Sequence, residues 1–404
     1  MKILIAHNFY QQRGGEDGVM ERESGILLSN GHEILNYFRR NNEIQDYSLL
    51  QKIRLASGTV WAPDTYSSLR RILRDERPVI AHFHNTFPLI SPAAYYACAE
   101  AGVPVVQTLH NYRLLCPAAT LLREGKVCEA CLGRSVAWPG VVHGCYRGSR
   151  AATAAVAATP AVHRMMGTWR EKVDVYVALT EFARRKFAEA GLPAERIVVK
   201  PNFVAHDPGA KRRTGEYALY LGRLSEEKGP LVLLEAWARL GEGIPLKLAG
   251  DGPLKQELRR EIGAWSLNGV ELLGQVDSEE VVGLLHGACF LVLPSICYEN
   301  FPLTIAEAFA CGVPVIASRL GSMAEIVADG KTGLHFEPGN AADLAAKVEW
   351  AWVHPEKMEE MGWAARCEFE EKYTRAANYR RLTEIYEMAM GKPVSETVEL
   401  MAAR

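Results

Sequence analysis

One short plan is written into this chain twice, and it restricts the fold more than any other feature. "CAEAGVPVVQTLH" (98–110) and "FACGVPVIASRL" (309–320) each finish a helix, stop on a glycine suited to a left-handed turn, and run Val-Pro-Val into a strand. Either copy alone is a turn that any helix–strand unit can use. Two copies about two hundred residues apart fit two similar α/β domains. The rest of the chain agrees. "KILIA" and "PVIAHFH" read as strands in the first half; "YALYLGRL", "PLKLAGDG", "VELLGQV" and "CFLVLPS" read as strands in the second. Amphipathic pieces such as "EDGVMERESGILLSNG" and "KGPLVLLEAWARLG" lie between them, so the sheets are expected to be parallel with both faces covered. A length of 404 residues also exceeds one ordinary core.

The polar, basic stretch "VVKPNFVAHDPGAKRRTGEYAL" is the expected linker, with the boundary near Phe203 to Arg213. Domains of 1–204 and 205–373 follow, with a helical tail over 374–404. Formal charge is −2, so no basic excess argues for a nucleic-acid partner. "MKILIAHNFY" is too short an apolar run for a signal peptide, and His7-Asn8 interrupts it; a first strand is the reading. "AATAAVAATPAV" is too short to cross a membrane and carries Pro160. The expectation is a cytoplasmic protein that at most touches a membrane surface.

Ligands of parallel sheets bind beyond the carboxyl ends of strands, here an interdomain cleft. Four elements point there. "YLGRLSEEKG" sets Gly222, Arg223 and Lys228 just past a strand, and "LAGDGP" makes a turn of Gly250, Asp251 and Gly252. Gln275 and Val276 sit at a third strand end. After "CFLVLPS" a loop carries Glu299, and a helix begins near Pro302 or Leu303. The amides of Asn300, Phe301, Leu303 and Thr304 would then form an anion site, with Arg223 and Lys228 on its opposite side. A diphosphate suits that arrangement without Mg²⁺. Glu307, one helical turn on, and Glu299 offer carboxylates to vicinal hydroxyls, the first to a ribose and the second to a sugar. The plain alternatives are a solvated helix start for Arg223 and Lys228 and a core ion pair for Glu307.

These residues together resemble the retaining nucleotide-sugar glycosyltransferases of family 4, with the GT-B fold. The likeness rests on Glu299 and Glu307 with seven residues between, on "GRLSEEKG", "AGDGP" and "PSICYENFPLTIAEAFACGVPVIAS", and on Gly14-Gly15 after the first strand. It implies two Rossmann-like domains facing across a cleft, with the C-terminal helix crossing back to the first. It implies a UDP- or GDP-sugar donor, a glycan or lipid-linked acceptor, and no catalytic metal. Arg223 and Lys228 would hold the diphosphate, Glu307 the ribose, and Glu299 and His110 the donor sugar; Gly14 and Gly15 would let a loop approach the phosphates or the acceptor. Asn300 and Pro302 stand where many members carry glycine, which leaves the sugar open. Competing readings are another GT-B enzyme, a phosphorylase or nucleotide-sugar epimerase, and a binding protein without turnover. No G-x-G-x-x-G follows "KILIA", which disfavours a dehydrogenase.

Two features stand outside that likeness. An insertion over about 113–150 carries Cys116, Cys128, Cys131 and Cys145, and the C-x2-C pair suits a structural Zn²⁺. Unconnected thiols, one or two disulfides, or His143 as a substitute ligand are the alternatives. Next, Arg147, Arg150, Arg164 and Arg170 accompany Met165, Met166 and Trp169, either as a surface for anionic lipid or as a buried helix with a charged edge. His84, Glu16, Asp17 and Asn202 have ready structural explanations beside functional ones: a hydrogen-bonded histidine, helix N-terminal charges and a turn.

Overall fold

A computed structural model describes residues 1–11, 14–44, 48–211 and 215–391. Arg213, at one edge of the expected linker, and the end of the tail after Gly391 lie outside them. The strands in chain order are β1 (Lys2–Phe9), β2 (Glu33–Arg40), β3 (Ile80–Asn85), β4 (Val105–Thr108), β5 (Leu122–Arg123), β6 (Lys126–Val127), β7 (Val175–Ala178) and β8 (Ile197–Val199). They continue as β9 (Tyr217–Leu221), β10 (Leu246–Ala249), β11 (Val270–Gly274), β12 (Ala288–Leu293), β13 (Val315–Ser318) and β14 (Gly333–Phe336).

Twelve of these strands form two six-stranded sheets, ordered β2-β1-β3-β4-β7-β8 and β11-β10-β9-β12-β13-β14. The pairings within both are parallel. The fold is GT-B. The first compact unit holds residues 1–119, 129–201 and the chain from Ala376; the second holds Thr120–Cys128 and Asn202–Arg375. β5 and β6 are a separate antiparallel hairpin, turned by Glu124 and Gly125 at φ 53 and 69.

Why these segments become strands is visible in their burial. β3, β4, β7, β9 and β13 are buried at every position, as expected for strands covered on both faces. In the first unit Ile3, Ile5, Ile80, Val106 and Val177 pack with Leu382, Ile385 and Tyr386 of the helix Arg375–Ala389. In the second, Tyr220, Leu248, Phe290 and Ile316 pack with Trp237, Leu344 and Met358.

Candidate functional site

Each strand order reverses direction once, and parallel sheets bind ligands past the carboxyl ends of the strands at that reversal. In the second sheet the reversal lies between β9 and β12. The loops after these two strands hold most of the residues singled out by sequence.

Backbone contacts fix those loops. Gly222 N donates to Ala249 O at 3.1 Å, Leu224 N to Asp251 O at 3.0 Å, and Gly250 N to Gly274 O at 2.7 Å. Gly250 adopts φ 149, and a Cβ there would collide with Gly222 O, so only glycine fits. Gly229 likewise sits at φ 66, where a Cβ would run into Pro294 O. Ile296 N donates to Glu227 O at 3.0 Å, joining the loop after β9 to the loop after β12.

That junction brings Lys228 Nζ to 2.6 Å from Glu299 Oε1, and Ser295 Oγ donates to the same oxygen at 2.7 Å. The Lys228 side chain keeps 28 % of its exposure and Glu299 keeps 11 %. Burial works against the ammonium, yet the adjacent Glu299 carboxylate outweighs it and raises the Lys228 pKa above that of an ordinary lysine. Lys228, expected to face a phosphate, is thus held by the carboxylate that was expected to face the sugar. Glu299 keeps little contact with water, and Lys228 offsets part of that loss.

Arg223 is exposed on the same loop, which Tyr220 Oη steadies by donating to Arg223 O at 2.8 Å. The helix after β12 starts at Leu303 behind an N-cap proline, Pro302, with no side-chain cap. Asn300, Phe301 and Pro302 lead into it buried; Leu303, Thr304 and Glu307 are half-buried. Gln275 and Val276 follow β11, and Asp251 turns to its neighbours Gly252 and Lys255. Ser295 and Cys297 beside Lys228 were missed, since a serine and a cysteine in a loop carry no signal of their own.

In the first sheet the reversal lies between β1 and β3. Asn85 Nδ2 donates to Asn8 O at 2.7 Å, and Leu89 N to Asn8 Oδ1 at 3.1 Å. His84 Nδ1 and His110 Nε2 share a hydrogen bond of 3.0 Å, and both rings line a cavity of about 80 Å³ with Phe87, Gln107, Asn111 and Arg113. Burial lowers both imidazole pKa values well below the ordinary range, so both rings are neutral near pH 7. Asp17 is absorbed by structure: it accepts from Gly14 N at 2.9 Å and lies 2.7 Å from His7 Nε2. Glu16 accepts from Asn111 Nδ2 at 3.2 Å, and burial raises its carboxyl pKa. Gly14 is the N-cap of the helix Gly15–Ser29.

Beneath His84 lies a cluster that sequence reading did not assemble. Glu23 ion-pairs with Lys200, both sealed, and Glu23 Oε2 is 3.8 Å from His84 Nε2. Glu23, His82 and His84 are the only group of metal-capable side chains gathered within 4.8 Å among the described residues. Both His82 nitrogens are already engaged, with Tyr386 Oη at 2.9 Å and Thr108 Oγ1 at 2.8 Å, and Lys200 provides the positive charge. Among the described residues Cys116, Cys128, Cys131 and Cys145 do not gather into such a group. Cys128 ends the hairpin segment that clusters with the second unit, while the other three belong to the first.

Comparison with known proteins follows this division. The family described as Glycosyltransferase Family 4 matches residues 28–207, and Glycosyl transferases group 1 matches 204–367. The chain is 33 % identical over 160 residues to D-rhamnosyltransferase WbpZ of Pseudomonas aeruginosa, covering 39 % of this chain and 42 % of that protein. It is 30 % identical over 230 residues to a phosphatidyl-myo-inositol mannosyltransferase of Mycobacterium leprae, covering 54 % and 60 %. These matches thus span less than two thirds of either relative's length. Among solved structures, Anabaena Alr3699/HepE in complex with UDP superimposes with a TM-score of 0.68 at 17 % identity, over 95 % of this chain and 99 % of that one.

Proposed function

The chain belongs to glycosyltransferase family 4, and from that premise we propose that it moves a sugar from a nucleotide-diphosphate sugar to a glycan or lipid-linked acceptor. The configuration at the anomeric carbon is retained, and the product belongs to a cell-surface polysaccharide or glycoconjugate. One observation carries this reading: the half-open Lys228–Glu299 pair at the reversal point of the second sheet, on loops knitted by glycines. A lysine already partnered by a carboxylate can transfer its hydrogen bond to a phosphate as the donor arrives. Glu299 is then released to accept from sugar hydroxyls.

Arg223, Lys228 and the amides opening the helix Leu303–Ala310 face the charge that develops on the leaving diphosphate. The bond from the anomeric carbon to the phosphate oxygen breaks as the bond to the acceptor oxygen forms on the same face. The acceptor proton passes to the departing phosphate. Glu307 holds the ribose, Gln275 and Val276 flank the base, and His110 contacts the donor sugar. Gly14 and Gly15 give close approach to the phosphates or the acceptor. The UDP in the HepE structure favours a uridine donor, with GDP-sugars as the other arm of the test. A structural Zn²⁺ on Cys116, Cys128, Cys131 and Cys145 belongs to the same proposal and rests on the C-x2-C spacing. Zinc bound by the wild type but not by Cys128→Ser/Cys131→Ser would support it. The proposed place of work is the inner face of the cell membrane.

The test is a panel of nucleotide sugars screened by thermal shift, then by nucleotide release with and without acceptor. One donor class should raise Tm, with release that depends on acceptor. Glu307→Ala should weaken bare nucleotide binding roughly tenfold, the worth of a hydrogen bond to a charged group. Glu299→Ala should suppress transfer while leaving nucleotide affinity nearly unchanged. Equal loss of nucleotide affinity in both variants would contradict this division of roles.

A further inference from the structure

Charge is distributed unevenly in this chain. From Ala130 to Arg170 there is no aspartate or glutamate, while Arg134, Arg147, Arg150, Arg164 and Arg170 all fall in that stretch, in a chain of formal charge −2. The structure shows what those arginines surround. The short helix Trp138–His143 exposes Trp138 at 54 % and, one turn on, Val142 at 50 %, with Val136 just before it at 48 %. Residues four apart share a helix face, so Trp138 and Val142 present one apolar strip.

Arginines border that strip on both sides. The Arg134 guanidinium stands 5.2 Å from the Trp138 ring centroid. Arg164, from the helix Arg150–Met165, donates to Arg134 O at 3.2 Å and to Ala190 O at 2.7 Å. At the other end Arg150 Nε donates to Val142 O at 2.9 Å. Among the described residues these three guanidiniums have carbonyl partners and no carboxylate ones. The nearest acids in sequence are turned to other business: Glu129 pairs with Lys186 at 2.9 Å. Met165, beside Arg164 at the helix end, is 82 % exposed. Trp169 is 9 % exposed and donates to Pro160 O, in line with the alternative of a buried helix, so the tryptophan of this face is Trp138.

Single exposed apolar residues need no explanation. A tryptophan and two valines ringed by guanidiniums without acids is a different pattern. The apolar strip has the side chains that partition into the headgroup region, and arginines can keep their charge at phosphate depth while their stems cover apolar surface. We propose that the face formed by Val136, Trp138 and Val142 with Arg134, Arg150 and Arg164 docks on an anionic lipid bilayer. This deepens the reading of a lipid-linked acceptor and rests on it only for its purpose. Docking requires neither donor nor turnover, so vesicle binding and nucleotide release fail independently.

The experiment uses the full chain in flotation with vesicles of phosphatidylcholine and of phosphatidylcholine with phosphatidylglycerol at roughly two to one, an anionic surface for basic residues. A soluble polyanion, heparin, is the third arm. The expected result is flotation with anionic vesicles only, weakened by salt. Arg134→Ser and Arg150→Ser should each lower partitioning roughly fivefold, the effect of one basic residue at an anionic surface. Trp138→Ser should lower it about tenfold by removing apolar insertion while leaving heparin binding unchanged. All three residues are exposed, so unaltered Tm in each variant separates docking from folding. Absence of flotation would overturn the proposal. So would equal binding to heparin and vesicles with Trp138→Ser silent, since that marks a site for soluble polyanions.

Discussion

Two lysine–glutamate pairs in this chain have the same chemistry and different surroundings. Lys200 follows β8 and meets Glu23 from the helix Gly15–Ser29; their side chains keep 1 % and 0 % of their exposure. Lys228 follows β9 and meets Glu299 beyond β12; their side chains keep 28 % and 11 %. Both lysines lie past the carboxyl ends of parallel strands, where a ligand's phosphate is expected. Only the second has room to exchange its partner. The first is covered by His82 and His84, with ring centroids 4.2 Å apart, and by Tyr386. Position in the fold therefore does not decide whether an ion pair is structural or functional; access to solvent does.

Removing each lysine in turn should separate the two surroundings by the largest margin. Lys200→Met leaves Glu23 a charge in a sealed site, and unfolding free energy should fall by about 3–5 kcal/mol, measured in urea. The double variant Lys200→Met/Glu23→Leu should lose less than the single one, because the stranded charge goes with it. Lys228→Met should cost only about 1 kcal/mol, since Glu299 is partly wetted and keeps the Ser295 hydroxyl. Equal losses from the two single variants would mean that solvent access is not the distinguishing property.

A smaller effect separates the same regions by pH. Burial lowers the His82 pKa from 6.5 to about 4, and His84 and His110 move in the same direction. A histidine kept neutral by the fold binds its proton more readily once unfolded, so stability is complete above pH 6.5 and is lost as pH falls towards 4. His82 alone accounts for roughly 3 kcal/mol across that window, since each tenfold change in proton affinity is worth about 1.4 kcal/mol. The Lys228 pair behaves oppositely. Its raised pKa contributes stability that is complete below the ordinary lysine pKa of 10.5 and fades as pH rises through the folded value. Urea midpoints followed from pH 7 to 4 should drop in the wild type and flatten in His82→Gln. An unchanged slope in that variant would place the acid lability elsewhere.

The sequence was informative where a pattern is local. Val-Pro-Val after glycine marked β4 and β13, and the loop motifs around Lys228 and Glu299 selected two side chains that meet across 71 residues of separation. Patterns that need the third dimension stayed hidden. Lys200 ends "RIVVK" as any solvated strand end does, and Glu23 looks like one more helix charge; only the packing of β8 on β7 and the helix Gly15–Ser29 buries both. β14 is four residues long and begins on a glycine, too short for a period to show. Trp169 and Trp138 have comparable flanks, yet one sits in the core and the other in solvent, because the interior takes one side of each helix and the sequence does not say which.

A third acid–cation pair, Asp251 with Lys255, has almost no cover. Asp251 accepts from Lys255 at 2.6 Å and from Gly252 N at 2.7 Å, and the pair's side chains keep 47 % and 29 % of their exposure. Lys255 and Gly252 N lower the Asp251 pKa, but a pair this wet is screened and contributes little to folding. Its motif, Gly-Asp-Gly, is joined by backbone hydrogen bonds to the loop after β9 all the same. A Cβ on Gly250 would meet Gly222 O and one on Gly252 would meet Leu224 O, so the glycines shape this turn and the carboxylate only decorates it. Asp251→Asn should therefore change Tm by less than about 1 °C, within the range of ordinary surface substitutions, and nucleotide affinity by less than about twofold. A tenfold loss of affinity would instead make Asp251 a ligand in its own right, and would show that exposure alone does not sort functional pairs from structural ones.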